Sequence, residues 1–156
     1  MALYLVRHAK AGRRGAWDGP DLLRPLTKAG RAQAQAFAAW LANEPVTRVL
    51  SSPYTRCVQT AEPRAAKLGL EIEVTEALAE ATPFEPVLEL LATLPDASVL
   101  VSHGDLIPDV VEALLRRGTV LDGQPDWRKG STWVLERDVT DGATVVARAH
   151  AVPPGA

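Results

Sequence analysis

The feature that most narrows what this chain can fold into is one pattern, met three times. A short apolar run stops at polar residues able to do chemistry. Leu3 to Val6 run into Arg7 and His8, the run over 47–51 into Ser51 and Ser52, and the run over 98–102 into Ser102 and His103. Runs this short and apolar read as buried strands. Helical segments lie between them. Thr27 caps a helix through AGRAQAQAFAAWLANE, with Ala32, Ala36, Phe37, Trp40 and Leu41 near one face. Ser52 as cap and Pro53 in the first helical position start a second helix. Pro63 is expected to kink or interrupt it and Gly69 to end it. Residues 84–94 form a third helix, stopped near Pro95. Asp105 caps a fourth, over about 106–117, whose first turn tolerates Pro108.

Three further strands complete the pattern. One covers 71–75; STWVLE and ATVVARAHA are two more, joined by a turn containing Asp141-Gly142. Residues 11–26 and 118–130, rich in Gly, Pro and charge, are loops. Strands alternating with helices predict an α/β fold: a three-layer sandwich with a mostly parallel central sheet and helices on both faces. The 156 residues suit one domain, expected over 1–152, with 153–156 a loose tail.

In such sheets, ligands bind beyond the carboxyl ends of the strands. If the three strands are parallel neighbours, Arg7, His8, Arg56 and His103 converge there. The chain holds 17 Lys+Arg against 19 Asp+Glu, so this cationic cluster is local and does not reflect a basic surface. That balance argues against nucleic acid as a partner. No apolar stretch approaches the ~18 residues of a membrane span, and no basic region with an apolar signal core opens the chain. A cytoplasmic protein without membrane partners is expected.

Four potentially cationic groups in one pocket repel unless an anion joins them. Two guanidiniums offer planar forks that fit phosphate oxygens. Backbone N–H groups after Ser52 and at Gly104, behind His103, add donors and a favourable dipole. A phosphoryl group is the natural occupant. Binding alone needs no histidine, but a neutral imidazole is a nucleophile near pH 7, and cationic neighbours favour its neutral form. Attack on phosphorus by His8 would give a covalent phosphohistidine and divide hydrolysis into two easier steps. A carboxylic acid is then needed for the leaving group and the water. Glu80, in LAEATPFE, is the best placed, with Glu76 and Glu85 as competitors.

The remaining candidates read as structural. Lys10 is a solvated rim charge, Ser51 and Ser52 cap a helix, and His150 is structural or exposed. Trp40 and Trp133 belong to the core, while Trp17 and Trp127 lie in loops near the site. The single Cys57 permits no intramolecular disulfide and no thiolate zinc cluster. A cysteine phosphatase would need Arg six positions on, where Pro63 stands. No histidine has a close carboxylate or thiolate partner in sequence, so neither a metal nor another cofactor is expected.

Taken in order, LYLVRHAKAG, RPLTKAGRAQA, VLSSPYTRCVQTAE, LAEATP and VLVSHGDLIPDVV resemble the signature segments of the histidine phosphatase superfamily. The fold implied is phosphoglycerate mutase-like, and the nearest branch is the small phosphohistidine phosphatases of the SixA type. The resemblance implies His8 as the phosphorylated nucleophile, with Arg7, Arg56 and His103 holding the phosphoryl oxygens and Glu80 as proton donor. Ala9 departs from the glycine more usual after the histidine. The short stretch between Arg56 and His103 leaves no room for a large lid, which implies an open site. RKGSTWVLE and HGDLIPDVV are also similar to the phosphatase-like domain fused to Nudix hydrolases in actinobacterial nucleotide-sanitising enzymes, although no Nudix segment is present.

The expectation is a metal-independent phosphatase working through phosphohistidine, acting on a protein phosphohistidine. The alternatives are a hydrolase of small phosphomonoesters or nucleotide-derived phosphates, and a phosphate-binding regulatory module of weak turnover.

Overall fold

A computed structural model describes residues 2–155. Its centre is a seven-stranded sheet in the order β3-β2-β4-β1-β6-β7-β5. The strands are β1 (Ala2–Arg7), β2 (Val49–Ser51), β3 (Ile72–Val74), β4 (Val99–Ser102), β5 (Val120–Asp122), β6 (Thr132–Thr140) and β7 (Ala143–Val152). The helices are α1 (Lys28–Trp40), α2 (Thr55–Leu68), α3 (Glu85–Thr93) and α4 (Leu106–Arg116). β1 pairs in parallel with β4, β4 with β2, β2 with β3 and β5 with β7. Only β6 runs against its neighbours β1 and β7. The three strands that carry the sequence pattern therefore lie side by side, pointing the same way.

Alternation along these strands builds the layers. Leu3, Leu5, Leu50 and Leu100 face one side, where they pack with Val87 and Leu91 of α3 and Leu106, Val110 and Leu114 of α4. Tyr4, Val6, Val49, Val99 and Val101 face the other, packing with Phe37 of α1 and Cys57, Ala61 and Ala65 of α2. One residue of slip would exchange the two faces, so the register that buries both also fixes where each strand ends.

Several boundaries differ from those read in sequence. α2 starts at Thr55, with Tyr54 as N-cap and no side-chain cap bond; the Ser52 hydroxyl lies 2.8 Å from His103 Nε2 and accepts from the Tyr54 N–H at 3.3 Å. Pro63 neither stops nor divides α2. Thr60, Ala61, Arg64 and Ala65 are buried on both sides of it, and that packing holds the helix together across the missing N–H. Asp105 occupies the N-cap position of α4, but its carboxylate accepts from the Ala81 N–H at 2.7 Å instead of capping its own helix. The loop over 118–130 contains β5, which pairs along β7. Trp40, expected in the core, is 36% exposed at the end of α1, while Trp133 is buried. Thr27 caps α1 through the Gly30 N–H, and Gly69 ends α2 in the left-handed conformation, as read.

Gly30 in the first turn of α1 lets the helix sit against the chain leaving β1. A Cβ there would lie 1.9 Å from the Lys10 carbonyl oxygen. In a free helix, Gly→Ala stabilises by roughly 1 kcal/mol. Here Gly30→Ala is expected to destabilise by about 1–3 kcal/mol, the usual scale of overpacking. A thermal melt that rises in this variant would show that α1 does not lean on that loop.

Candidate active site

β1, β4 and β2 deliver their carboxyl ends to one crevice. Arg7 is the last residue of β1 and His8 follows it. His103 follows β4, and Arg56 stands in the first turn of α2, just after β2. The His8 and His103 rings are 5.5 Å apart, centroid to centroid, at 66°. His8, Arg56 and His103 are almost wholly buried. They line a cavity of about 590 Å³ together with Arg7, Gly104, Glu80 and Asp105. Of the three carboxylates offered by the sequence, Glu80 lines this cavity; Glu76 and Glu85 do not.

The geometry around His8 fixes its tautomer. Nδ1 lies 2.8 Å from the carbonyl oxygen of Ala9. A carbonyl only accepts, so Nδ1 carries the ring proton and Nε2 keeps a free lone pair. Burial pushes the His8 pKa down to about 3, with the Ala9 bond opposing and repulsion from His103, Arg56 and Arg7 assisting. The imidazole is therefore neutral at physiological pH. Ala9 is itself pinned, its N–H donating to the Thr60 hydroxyl on α2 at 2.9 Å.

His103 is held from behind. Its Nε2 lies 2.8 Å from Ser52 Oγ, and the Tyr54 ring packs edge-on against it at 4.8 Å. A hydroxyl both donates and accepts, so this contact serves either tautomer of His103; the other ring nitrogen is Nδ1. That nitrogen is buried, has no hydrogen-bond partner and stands 3.9 Å from Glu80 Oε2. Burial, with Arg56 beside it, pushes the His103 pKa down to about 3 as well, against an opposing pull from Asp21.

The arginines are gathered by carboxylates. Arg56 donates from Nη1 to the Asp21 carbonyl at 3.0 Å, and its Nη2 reaches Asp21 Oδ2 at 3.2 Å and Glu80 Oε2 at 3.3 Å. Arg24 pairs with the same Asp21 at 2.9 Å, and Arg14 bridges Asp21 and Glu80 at 3.3 and 3.4 Å. Burial works to raise the Asp21 pKa, but Arg24, Arg56 and Arg14 overcome it and hold the carboxyl below its usual range. Arg7 donates from Nη1 to the Trp127 carbonyl at 2.6 Å. Gly104 lies flat against the Arg7 guanidinium: a Cβ there would come within 2.5 Å of Cζ. The Nε atoms of Arg7 and Arg56 are buried without partners. Unpaired buried donors are costly, and His103 Nδ1 in the same crevice shares that state.

Asp21, Arg14, Arg24, Ser52 and Tyr54 were not found as site residues in the sequence. Asp21 sits in the Gly- and Pro-rich loop and meets Arg56 only in three dimensions, so no local spacing betrays it. Ser52 reads in sequence as a helix cap; its contact with His103 is visible only in three dimensions. Cys57 packs with Sγ 3.5 Å from His103 Nε2, and burial pushes its thiol up to about 12, which makes it inert as a nucleophile. Trp127 reaches the site through its carbonyl while its ring leans on Trp133, and Trp17 lines a separate, smaller cavity with Arg13 and Arg24. Among the described residues no group of three or more His, Cys, Asp or Glu side chains is arranged to hold a metal ion.

A parallel-stranded crevice with two imidazoles and two guanidiniums at its floor defines a class, and the chain's sequence agrees with it. The protein belongs to the histidine phosphatase superfamily (branch 1), whose family model matches residues 3–83. That segment contains Arg7, His8, Arg56 and Glu80; His103 lies beyond it. The chain is 37% identical over 150 residues to the 8-oxo-(d)GTP phosphatase of Mycolicibacterium smegmatis. The match covers 92% of this chain, which spans about half (46%) of that protein's length. Among solved structures, the protein histidine phosphatase SixA in complex with tungstate superposes with a TM-score of 0.75 at 24% identity, covering 96% of both chains. A protein from Nakamurella multipartitia designated a phosphohistidine phosphatase SixA gives 0.72 at 26% identity, over 99% of this chain and 96% of that one.

The low imidazole pKa values set a pH dependence. An unfolded histidine titrates near 6.5; folded His8 and His103 titrate near 3. Between these values the unfolded chain binds protons that the folded one does not. Their contribution to stability is therefore complete above pH ~6.5 and is lost progressively as pH falls toward 3. The urea midpoint should drop across that window, and neither imidazole should titrate by NMR between pH 5 and 8; a His8 titration near 6.5 would contradict the buried, neutral state. Gly104→Ala should displace Arg7 and weaken phosphate or tungstate binding at least tenfold while the fold persists.

Proposed function

We propose that this protein is a metal-independent phosphatase that transfers a phosphoryl group to Nε2 of His8 and then hydrolyses the phosphohistidine. The tautomer of His8 carries this reading most directly: the Ala9 carbonyl holds the proton on Nδ1, and a neutral Nε2 is left facing a floor of cations. Arg7, Arg56, His103 Nδ1 and the backbone at Gly104 would hold the phosphoryl oxygens and stabilise the charge that builds in the transition state. Glu80, tied to Arg56 and Arg14, would protonate the leaving group and then activate water in the second step. In this reading the protein's own cations supply the electrostatic stabilisation.

Two substrate classes have specific support. Protein phosphohistidine is favoured by the likeness in fold to SixA and by the short connection between Arg56 and His103. Small phosphate esters, nucleotide-derived ones among them, are favoured by the identity with the M. smegmatis phosphatase over almost the whole chain. We propose that 1–152 form one catalytic unit, because β1 near one end and β7 near the other join the same sheet.

Rapid quench with a labelled phosphate ester should trap an acid-labile, base-stable label on the wild type and none on His8→Ala. Activity should be unchanged by chelators. Glu80→Gln should slow hydrolysis of an ester by about 10²–10⁴-fold. Its effect on a phosphohistidine substrate should be smaller, because imidazole leaves with less help. A fully active, unlabelled His8→Ala would end the covalent route; a wild type that binds phosphate but never takes the label would leave the binding module in its place.

A further inference from the structure

The cavity is larger and more positive than one phosphoryl group requires. Seven cationic side chains line it, Arg7, Lys10, Arg13, Arg14, Arg24, Arg56 and Lys129, against two carboxylates, Glu80 and Asp105. The chain as a whole carries a net charge of −2, so this excess is concentrated here. Arg14, Arg24 and Arg56 pair with Asp21 and Glu80, and Arg7 donates to a backbone carbonyl. Among the described residues, the side chains of Lys10, Arg13 and Lys129 have no hydrogen bond and no ion pair, although all three line the same space.

The two lysines are held beside each other by the fold. Gln33 of α1 accepts from the Lys10 N–H at 2.8 Å and donates to the Lys129 carbonyl at 3.5 Å. The next residue, Gly130, donates to the carbonyls of both Arg7 and His8. Lys129 is thereby fastened to the end of β1, one step from the proposed nucleophile. Burial and repulsion from Arg7, Arg24, Lys10 and Arg56 lower its pKa, with no carboxylate among the causes. A set of cations crowded together without a counter-charge is what a bound polyanion would relieve.

We propose that Lys10, Arg13 and Lys129 form an outer anion subsite, and that the substrates are small molecules bearing a second phosphoryl group one or two P–O–P links from the one transferred. The inference rests on the inner crevice being the phosphoryl site. A monoester dianion cancels only part of the charge lining the cavity, whereas a di- or triphosphate meets both the inner floor and the outer wall. The volume fits the range of small-molecule pockets, and the three exposed cations stand on the rim of that cavity, within one small-molecule span of its inner floor.

Calorimetry with two unreactive probes separates the two parts. Methylphosphonate presents one anionic group, and methylenediphosphonate adds a second at the P–O–P spacing. The diphosphonate should bind about tenfold or more tightly, and the gap should narrow as salt rises. Lys129→Ala and Arg13→Ala should each shrink the gap while methylphosphonate affinity stays within about twofold, which also reports that the site is folded. Equal affinity for both probes in the wild type would overturn the outer subsite and leave the inner one standing. So would a gap untouched by the variants. Binding of neither probe would overturn both. If the variants weaken an acidic phosphopeptide but not the diphosphonate, the rim serves a protein substrate and the proposal fails.

Discussion

The site depends on keeping like charges together. Arg56 is 1% exposed, and its guanidinium stands among two other arginines and two imidazoles. Left alone, such a group would repel its neighbours and carry a heavy desolvation cost. Asp21 makes the arrangement stable: one residue takes Arg56 through both its backbone oxygen and its carboxylate, and the same carboxylate holds Arg24 and Arg14. The imidazoles solve the problem differently. Burial keeps them uncharged, so they add no repulsion and remain available for chemistry.

From that balance the rest of the geometry follows. The sheet supplies three parallel ends a few ångströms apart, and α1, α2 and α4 close around them. Small residues make the close approaches possible: Gly30 admits the Lys10 backbone and Gly104 admits the Arg7 guanidinium. Backbone carbonyls do much of the orienting. Ala9 sets the His8 tautomer and Trp127 steadies Arg7, so two groups of the site are aimed by atoms that no side-chain substitution removes.

Much of this was legible in the chain. The three apolar runs mark β1, β2 and β4, and the residues just after them, Arg7 and His8, Arg56 inside the following helix, and His103, are the ones that meet in the crevice. What escaped has a common physical cause. Asp21 acts on Arg56 across 35 positions, and a charged residue in a flexible-looking loop carries no periodicity that would mark it. Ser52 reads as a helix cap, and its hydroxyl does accept a backbone N–H before α2, yet tertiary packing also sets it against an imidazole. Pro63 reads as a breaker because propensity sees one missing hydrogen bond; the structure weighs it against the buried faces on either side. β5 is three residues inside a Gly- and Pro-rich stretch, and it becomes a strand only because β7 offers an edge.

The cavity draws all but one of its lining residues from the first 105 positions; Lys129 is the exception. The β6–β7 hairpin extends beyond the sheet to a tight turn at Asp141-Gly142, both in left-handed backbone, with Val139 largely in solvent. Its tip makes no part of the crevice. That division of labour makes the hairpin a natural grafting point: tags, reporters or whole additional modules spliced between Thr140 and Ala143 would leave the crevice its own geometry.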